Sequence, residues 1–105
     1  MKSGLSKIDH KLISKTIKLY PEIQQAILFG SRAKGTYKKG SDIDIALYLT
    51  PTITDEDKRA LLLQLHEQLD ETLPLPYFFD LLDVSTITNT QLIKHIDRVG
   101  VNLLS

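Results

Sequence analysis

Residues 28–49 read LFGSRAKGTYKKGSDIDIALYL. The second half of this stretch decides the fold. Ile43, Ile45, Leu47 and Leu49 point one way, and Asp42, Asp44, Ala46 and Tyr48 the other. This is the period-two alternation of a β-strand with one apolar face. The apolar face belongs to a core, and the opposite face opens with two carboxylates. Upstream, Ile23–Phe29 (IQQAILF) predicts another short strand, stopped by Gly30. Residues 31–39 read as a glycine-bounded turn with room for one helical turn. The two strands lie about 13 residues apart, long for a tight hairpin and short for a crossover helix. Such a connection is expected to be a functional loop.

Working outward, residues 7–20 place Ile8, Leu12, Ile13 and Ile17 at helical spacing, and Pro21 ends that helix. Thr54 is the expected N-cap of a helix over 55–72, with Leu61, Leu62, Leu65 and Leu69 on one side. The LPLP that follows breaks it. Residues 77–84 predict a third strand, and 89–98 a last helix bearing Leu92, Ile93, Ile96 and Val99. Gly100 fits a left-handed C′ position, and VNLL closes as a short edge strand. This order predicts an α/β (α+β) fold, a small mixed β-sheet of three to four strands flanked by helices.

The 105 residues fit a single domain over 1–105, with no repeat or linker that divides it. Lys plus Arg and Asp plus Glu balance at 13 each, so no global charge argues for direct nucleic-acid or membrane binding. There is no cysteine, which removes disulfides, thiolate metal sites and cysteine nucleophiles together. No apolar run approaches the roughly 20 residues of a membrane helix, and the N-terminus lacks a signal-peptide core. A cytoplasmic location is expected.

Asp42 and Asp44 sit close together where their strand begins. Like charges at that distance repel, and one pKa rises unless a cation lies between them. A hard divalent ion such as Mg²⁺ resolves the conflict. Taken alone, D-x-D is also what a half-solvated strand carries. The loop sharpens the reading. Backbone N–H groups at a Gly30–Ser31 turn can cradle phosphate oxygens, and Ser31 adds a hydroxyl. Arg32, Lys34, Lys38 and Lys39 make the loop electropositive, with no acid before Asp42. One side holds phosphates, and the other holds the metals that bridge them. A third carboxylate would complete a two-metal site. Asp80 and Asp83 have opposite parity in YFFDLLDV. Asp83 is near the strand end and is expected to reach water. Asp80 is mid-strand, where an unpaired carboxylate is costly, so Asp80 is preferred.

Gly30-Ser31, ten residues, then Asp42-x-Asp44 is G-S-x10-D-x-D, written GSRAKGTYKKGSDID. With Asp80 on a later strand, the chain resembles the DNA polymerase beta-like nucleotidyltransferase superfamily. Within it, the chain is most similar to the minimal nucleotidyltransferases, the MNT or MntA-like domains. That resemblance implies the nucleotidyltransferase fold. It implies that Gly30 and Ser31 contact the triphosphate of ATP, with Arg32 and Lys34 at variable positions beside it. It implies that Asp42, Asp44 and Asp80 hold one or two Mg²⁺ ions, Asp80 also helping to activate an acceptor hydroxyl. AMP would be transferred and pyrophosphate released. Larger relatives carry a further helical domain for the acceptor. Only about 20 residues follow the Asp80 strand here, so the acceptor surface is expected to be borrowed. The resemblance implies a small helical HEPN-type partner, encoded next door and forming a hetero-oligomer. This chain would be the antitoxin that adds AMP to a tyrosine of the toxin. Two alternatives stand beside it: an antitoxin that only masks its partner, and an aminoglycoside-type small-molecule nucleotidyltransferase with a separate acceptor subunit.

Other residues carry less. His10, His66 and His95 form no metal-ligand spacing and read as surface positions. Tyr48 and Tyr77 can stack a base but more simply pack. Thr36 and Ser41 read as turn residues. The apolar residues near Leu73–Pro76 and Leu103–Leu104 could serve an interface or the core.

Overall fold

The computed structural model describes residues 4–38, 42–73 and 77–104. In chain order these form α1 (Lys7–Ile17), β1 (Ile23–Phe29), α2 (Gly30–Lys34), β2 (Ile43–Leu49), α3 (Asp55–Thr72), β3 (Phe79–Asp83), α4 (Thr90–Val99) and β4 (Val101–Asn102). The sheet is four-stranded and mixed, in the order β3-β2-β1-β4. β1 runs antiparallel to β2 and to β4, while β2 and β3 are parallel. The parallel step uses α3 as its crossover, and the antiparallel step carries α2 in its connection.

α1 begins with a capping box. Ser6 Oγ accepts from the Asp9 N–H at 3.0 Å, and Asp9 Oδ2 accepts from the Ser6 N–H at 3.2 Å. Its buried stripe is Ile13, Thr16 and Ile17. Ile8 and Leu12, expected on that stripe, are 71% and 38% exposed. Each helical residue turns about 100°, so Ile8 and Leu12 fall beside the stripe rather than on it. The helix ends at Ile17, earlier than Pro21 alone requires; Tyr20, restrained by that proline, closes a turn onto the Ile17 carbonyl. α3 starts where expected: the Thr54 hydroxyl accepts from the Asp57 N–H at 3.1 Å. Three acids in its first turn suit the positive end of the helix dipole.

Ile13 and Ile17 of α1 meet Leu61, Leu65 and Leu69 of α3 over one sheet face, lined by Leu28, Ile43, Ile45 and Leu47. Leu62, expected with them, is half-buried at the edge, as is Leu49. α4 lies against β1, with Ile96 buried. Gly100 ends α4 in an extended conformation, φ −62° and ψ 143°, not the expected left-handed one. A glycine is needed there for room: a Cβ would meet Ile27 Cγ2 and the Ile96 carbonyl oxygen.

β3 stops at Asp83, one residue short of the expected end. The Asp83 carboxylate captures the Ser85 N–H at 3.0 Å and starts a short 3-10 turn, Val84–Thr86. VNLL contributes only Val101–Asn102 as a strand, on the free edge of β1. Leu73 and Leu103 are core residues, and residues 74–76 lie outside those described.

Candidate active site

The sheet register builds the site. Phe29 of β1 pairs with Asp44 of β2, and Asp44 pairs with Asp80 of β3. The residue after Phe29 is Gly30, so the first turn of α2 begins beside the Asp44 carboxylate. Gly30 has φ +75°, and a Cβ there would meet Asp44 Oδ2. Glycine is therefore required twice, for backbone conformation and for space. Gly35, at φ +80°, ends α2 in the left-handed conformation, and the Thr36 N–H returns to the Ser31 carbonyl at 3.0 Å. The result is a compact turn placed next to a carboxylate.

Asp44 and Asp80 share the sheet face away from α3, and Asp42 lies just before β2. Asp42 and Asp80 are exposed and Asp44 is half-buried. Burial, then the charge of Asp80, then that of Asp42 push the Asp44 carboxyl up to about 6. Carboxylate oxygens gathered in this way are the donor chemistry that a hard divalent cation takes. Among the described residues, no three His, Cys, Asp or Glu side chains are drawn together as a closed metal cluster.

Asp80 stands at its expected place for a different reason. It is the second residue of β3 and exposed, so no cost of burial marks it. The buried carboxylate is Asp83, 6% exposed, which was expected to reach water. Asp83 lies on the core parity with Phe79. Its Oδ2 sits 2.9 Å from Lys58 Nζ, and its Oδ1 accepts from the Ser85 N–H and hydroxyl. Burial pushes its pKa up, but the Lys58 and Ser85 contacts outweigh it and hold it below the usual value. Asp83 thus ties α3 to the end of β3 and stands apart from the other three.

The loop cations separate. Arg32 is only 4% exposed, with its guanidinium over the rings of Tyr37 at 5.1 Å and Tyr77 at 5.5 Å. This cation–π sandwich secures the loop after α2 to the chain entering β3. Arg32 is a buried element of the turn, not the open cation expected from sequence. Lys34 and Lys38 are exposed, and Ser31 is half-buried at the second position of α2. Lys39, Gly40 and Ser41 lie outside the described residues. Tyr77 faces Arg32, and Tyr48 is half-buried across from Gln25.

The histidines are not simple surface residues. His66 bridges α3 to β3, with Nε2 3.1 Å from the Phe79 carbonyl and Nδ1 3.2 Å from Asp70. His10 borders a groove of about 830 Å³ between α1 and the β4 edge, and burial lowers its pKa. His95 reaches the candidate site itself: its Nε2 accepts from the Gly30 N–H at 3.2 Å. Its ring stands edge-on to Phe29, with centroids 6.3 Å apart. No local spacing signals this contact.

A glycine turn against the strand carboxylates Asp44 and Asp80, with Asp42 just before β2, suits a nucleotide-transferring site. The family model described as Polymerase beta, Nucleotidyltransferase matches residues 11–105. The chain belongs to this family and is a nucleotidyltransferase. Among solved structures, a toxin–antitoxin with AMP-PNP aligns at a TM-score of 0.68 and 28% identity, over 90% of this chain and 71% of that one. A mutant of the MntA–HepT toxin–antitoxin aligns at 0.67 and 26% identity, over 90% of this chain and 71% of that one. The Shewanella oneidensis complex of a tri-AMPylated HEPN toxin with its MNT antitoxin aligns at 0.63, over 98% of this chain and 71% of that one. At 24% identity that last likeness concerns the fold alone. No curated protein matches the chain.

Proposed function

We propose that this chain transfers AMP from ATP to a tyrosine hydroxyl of a small helical HEPN-type protein, acting as the antitoxin of that pair. The observation that carries the reading is the register Phe29–Asp44–Asp80, which sets two carboxylates beside the Gly30 turn. The likeness to a toxin–antitoxin with AMP-PNP supports the nucleotide and the partner class. No helix among the described residues is long and apolar enough to cross a membrane; we place the protein in the cytoplasm, where ATP is available.

Asp42, Asp44 and Asp80 fit Mg²⁺, since each offers hard oxygen donors and, among the described residues, none of the three is held in a salt bridge. Bound there, the ion would supply charge neutralisation of the triphosphate and polarise its α-phosphate. The chain's own residues do the rest. Gly30 lets the backbone approach the phosphates, and Ser31 donates to them. Lys34 adds positive charge at the rim; Arg32 acts by holding the turn. Asp80 orients the acceptor hydroxyl and takes its proton. The hydroxyl oxygen bonds to the α-phosphorus, the bond from that phosphorus to the bridging oxygen breaks, and pyrophosphate leaves. Positioning and electrostatics supply the rate.

Phe78, 55% exposed just before β3, and Asp80 flank the buried Phe79 and face outward. The test is incubation with ATP, Mg²⁺ and the neighbouring gene's product, followed by intact mass measurement. The expected result is addition of AMP to the partner. A confirmed complex that stays unmodified overturns catalysis and leaves masking as the antitoxin mechanism. Modification of an aminoglycoside in place of the protein overturns the partner.

A further inference from the structure

His95 and Gly30 are 65 residues apart in sequence, yet Nε2 of one lies 3.2 Å from the backbone nitrogen of the other. A backbone N–H can only donate, so Nε2 is the acceptor. The helix that presents the ring is anchored at both ends. Asn89 Oδ1 accepts from the Gln91 and Leu92 N–H groups, and Gly100 fits tightly against Ile27. Ile96, next to His95, is 2% exposed. The ring also rests edge-on against Phe29. Gly30 is thus constrained from two sides: Asp44 Oδ2 fills the space a Cβ would take, and His95 holds its N–H.

We propose that His95 is a positioning residue of the nucleotide site. By accepting from Gly30 it fixes the plane of the Phe29–Gly30 peptide, and with it the direction in which Ser31 presents its N–H and hydroxyl. This rests on the nucleotide role proposed above for Gly30 and Ser31. It also divides their roles. While His95 holds the Gly30 N–H, Ser31 carries the hydrogen bonds to phosphate, and Gly30 contributes closeness of approach. The sequence motif alone assigns both residues to the phosphates and does not contain the histidine. Turn orientation matters because donors act only when aimed at the oxygen they stabilise.

The test compares His95→Phe, which keeps a ring beside Phe29 but has no acceptor, with His95→Gln, which returns an acceptor near the Nε2 position. Affinity for AMP-PNP with Mg²⁺ is measured by calorimetry on the full chain, with the Gly30 amide shift followed by NMR. For His95→Phe the expected result is about tenfold weaker binding, the scale of one hydrogen bond to a charged site. KM for ATP should rise by a similar factor, with kcat changed less than about threefold. The Gly30 amide proton should move upfield, and His95→Gln should recover most of both effects. Wild-type affinity in His95→Phe overturns the inference. Equal loss in both variants, tracking a lower melting temperature, also overturns it and leaves a purely structural histidine. If the wild-type chain itself fails to bind AMP-PNP, the nucleotide reading falls and takes this role with it. The Gly30 amide shift in His95→Phe then still reports whether the hydrogen bond forms.

Discussion

Asp44 and Asp83 are two strand carboxylates with opposite protonation behaviour, set by which face each occupies. Asp44 has its folded pKa raised to about 6 by burial, Asp80 and Asp42. The folded state therefore binds this proton more tightly than the unfolded chain. Its ionisation costs stability above that value, and the cost disappears as pH falls toward the ordinary carboxylate range. Asp44→Asn should then stabilise the metal-free protein by about 1–2 kcal/mol at about pH 8, and by almost nothing at about pH 3, below both pKa values. Thermal melts at the two pH values check this; equal gains at both would contradict it. Asp83 runs the other way. Its folded pKa is depressed, so its contribution is present above the ordinary carboxylate value and lost as pH falls through the folded one. Lys58→Ala leaves Asp83 buried without its cation and should cost about 2–3 kcal/mol in denaturant melts. A Lys58→Met, Asp83→Leu double variant should recover most of that loss. Gly30, Ser31, Asp42 and Asp44 were legible because one short segment carries them. Asp80 was preferred over Asp83 on the premise of burial, which belongs to Asp83; it is the sheet register that sets Asp80 beside Asp44. The partner that makes burial of Asp83 tolerable, Lys58, sits on another element. His95 was illegible for the same kind of reason: its acceptor role exists only once α4 lies on β1.

At the scale of elements, strand alternation and the Thr54 cap were readable and helix rotation was not. β1 and β2 match their expected bounds, because apolar periodicity and flanking breakers agree. The α1 stripe was misjudged, since Ile8 and Leu12 have the right residue type but the wrong angle to α3. Gly100 shows a similar limit. Its place after α4 suggested a left-handed cap, yet its φ of −62° is open to any residue, and only tertiary contact with Ile27 demands glycine. The two glycines should accordingly respond differently to alanine. Gly30→Ala meets both a positive φ and the Asp44 carboxylate; it should lower stability by about 1–3 kcal/mol and abolish AMP-PNP binding. Gly100→Ala meets only the crowding, with a cost of about 1–3 kcal/mol from forced repacking. A small Ile27→Ala change should relieve part of the second loss and none of the first. Double-mutant cycles in denaturant separate the two.

For the whole molecule, element order was legible and sheet order was not. Alternating helices and strands indicated a mixed small sheet, but pairing depends on which edges meet. The order β3-β2-β1-β4 brings Asp80, far along the chain, beside Asp44. One sheet face carries the main core under α1 and α3, while the other leaves the carboxylates open beyond α4. On the proposed reading, this open site is completed from outside, by nucleotide on the Gly30 side and by an acceptor on the Asp80 side. The most direct measurement is the intact mass of the proposed HEPN-type partner after incubation with ATP, Mg²⁺ and this protein. The wild-type chain should add AMP. Asp44→Asn and Asp80→Asn should slow that addition by at least about 10³-fold, the scale of lost transition-state charge stabilisation, while still forming the complex. Wild-type rates in both variants, or an unmodified partner within a verified complex, would contradict the account.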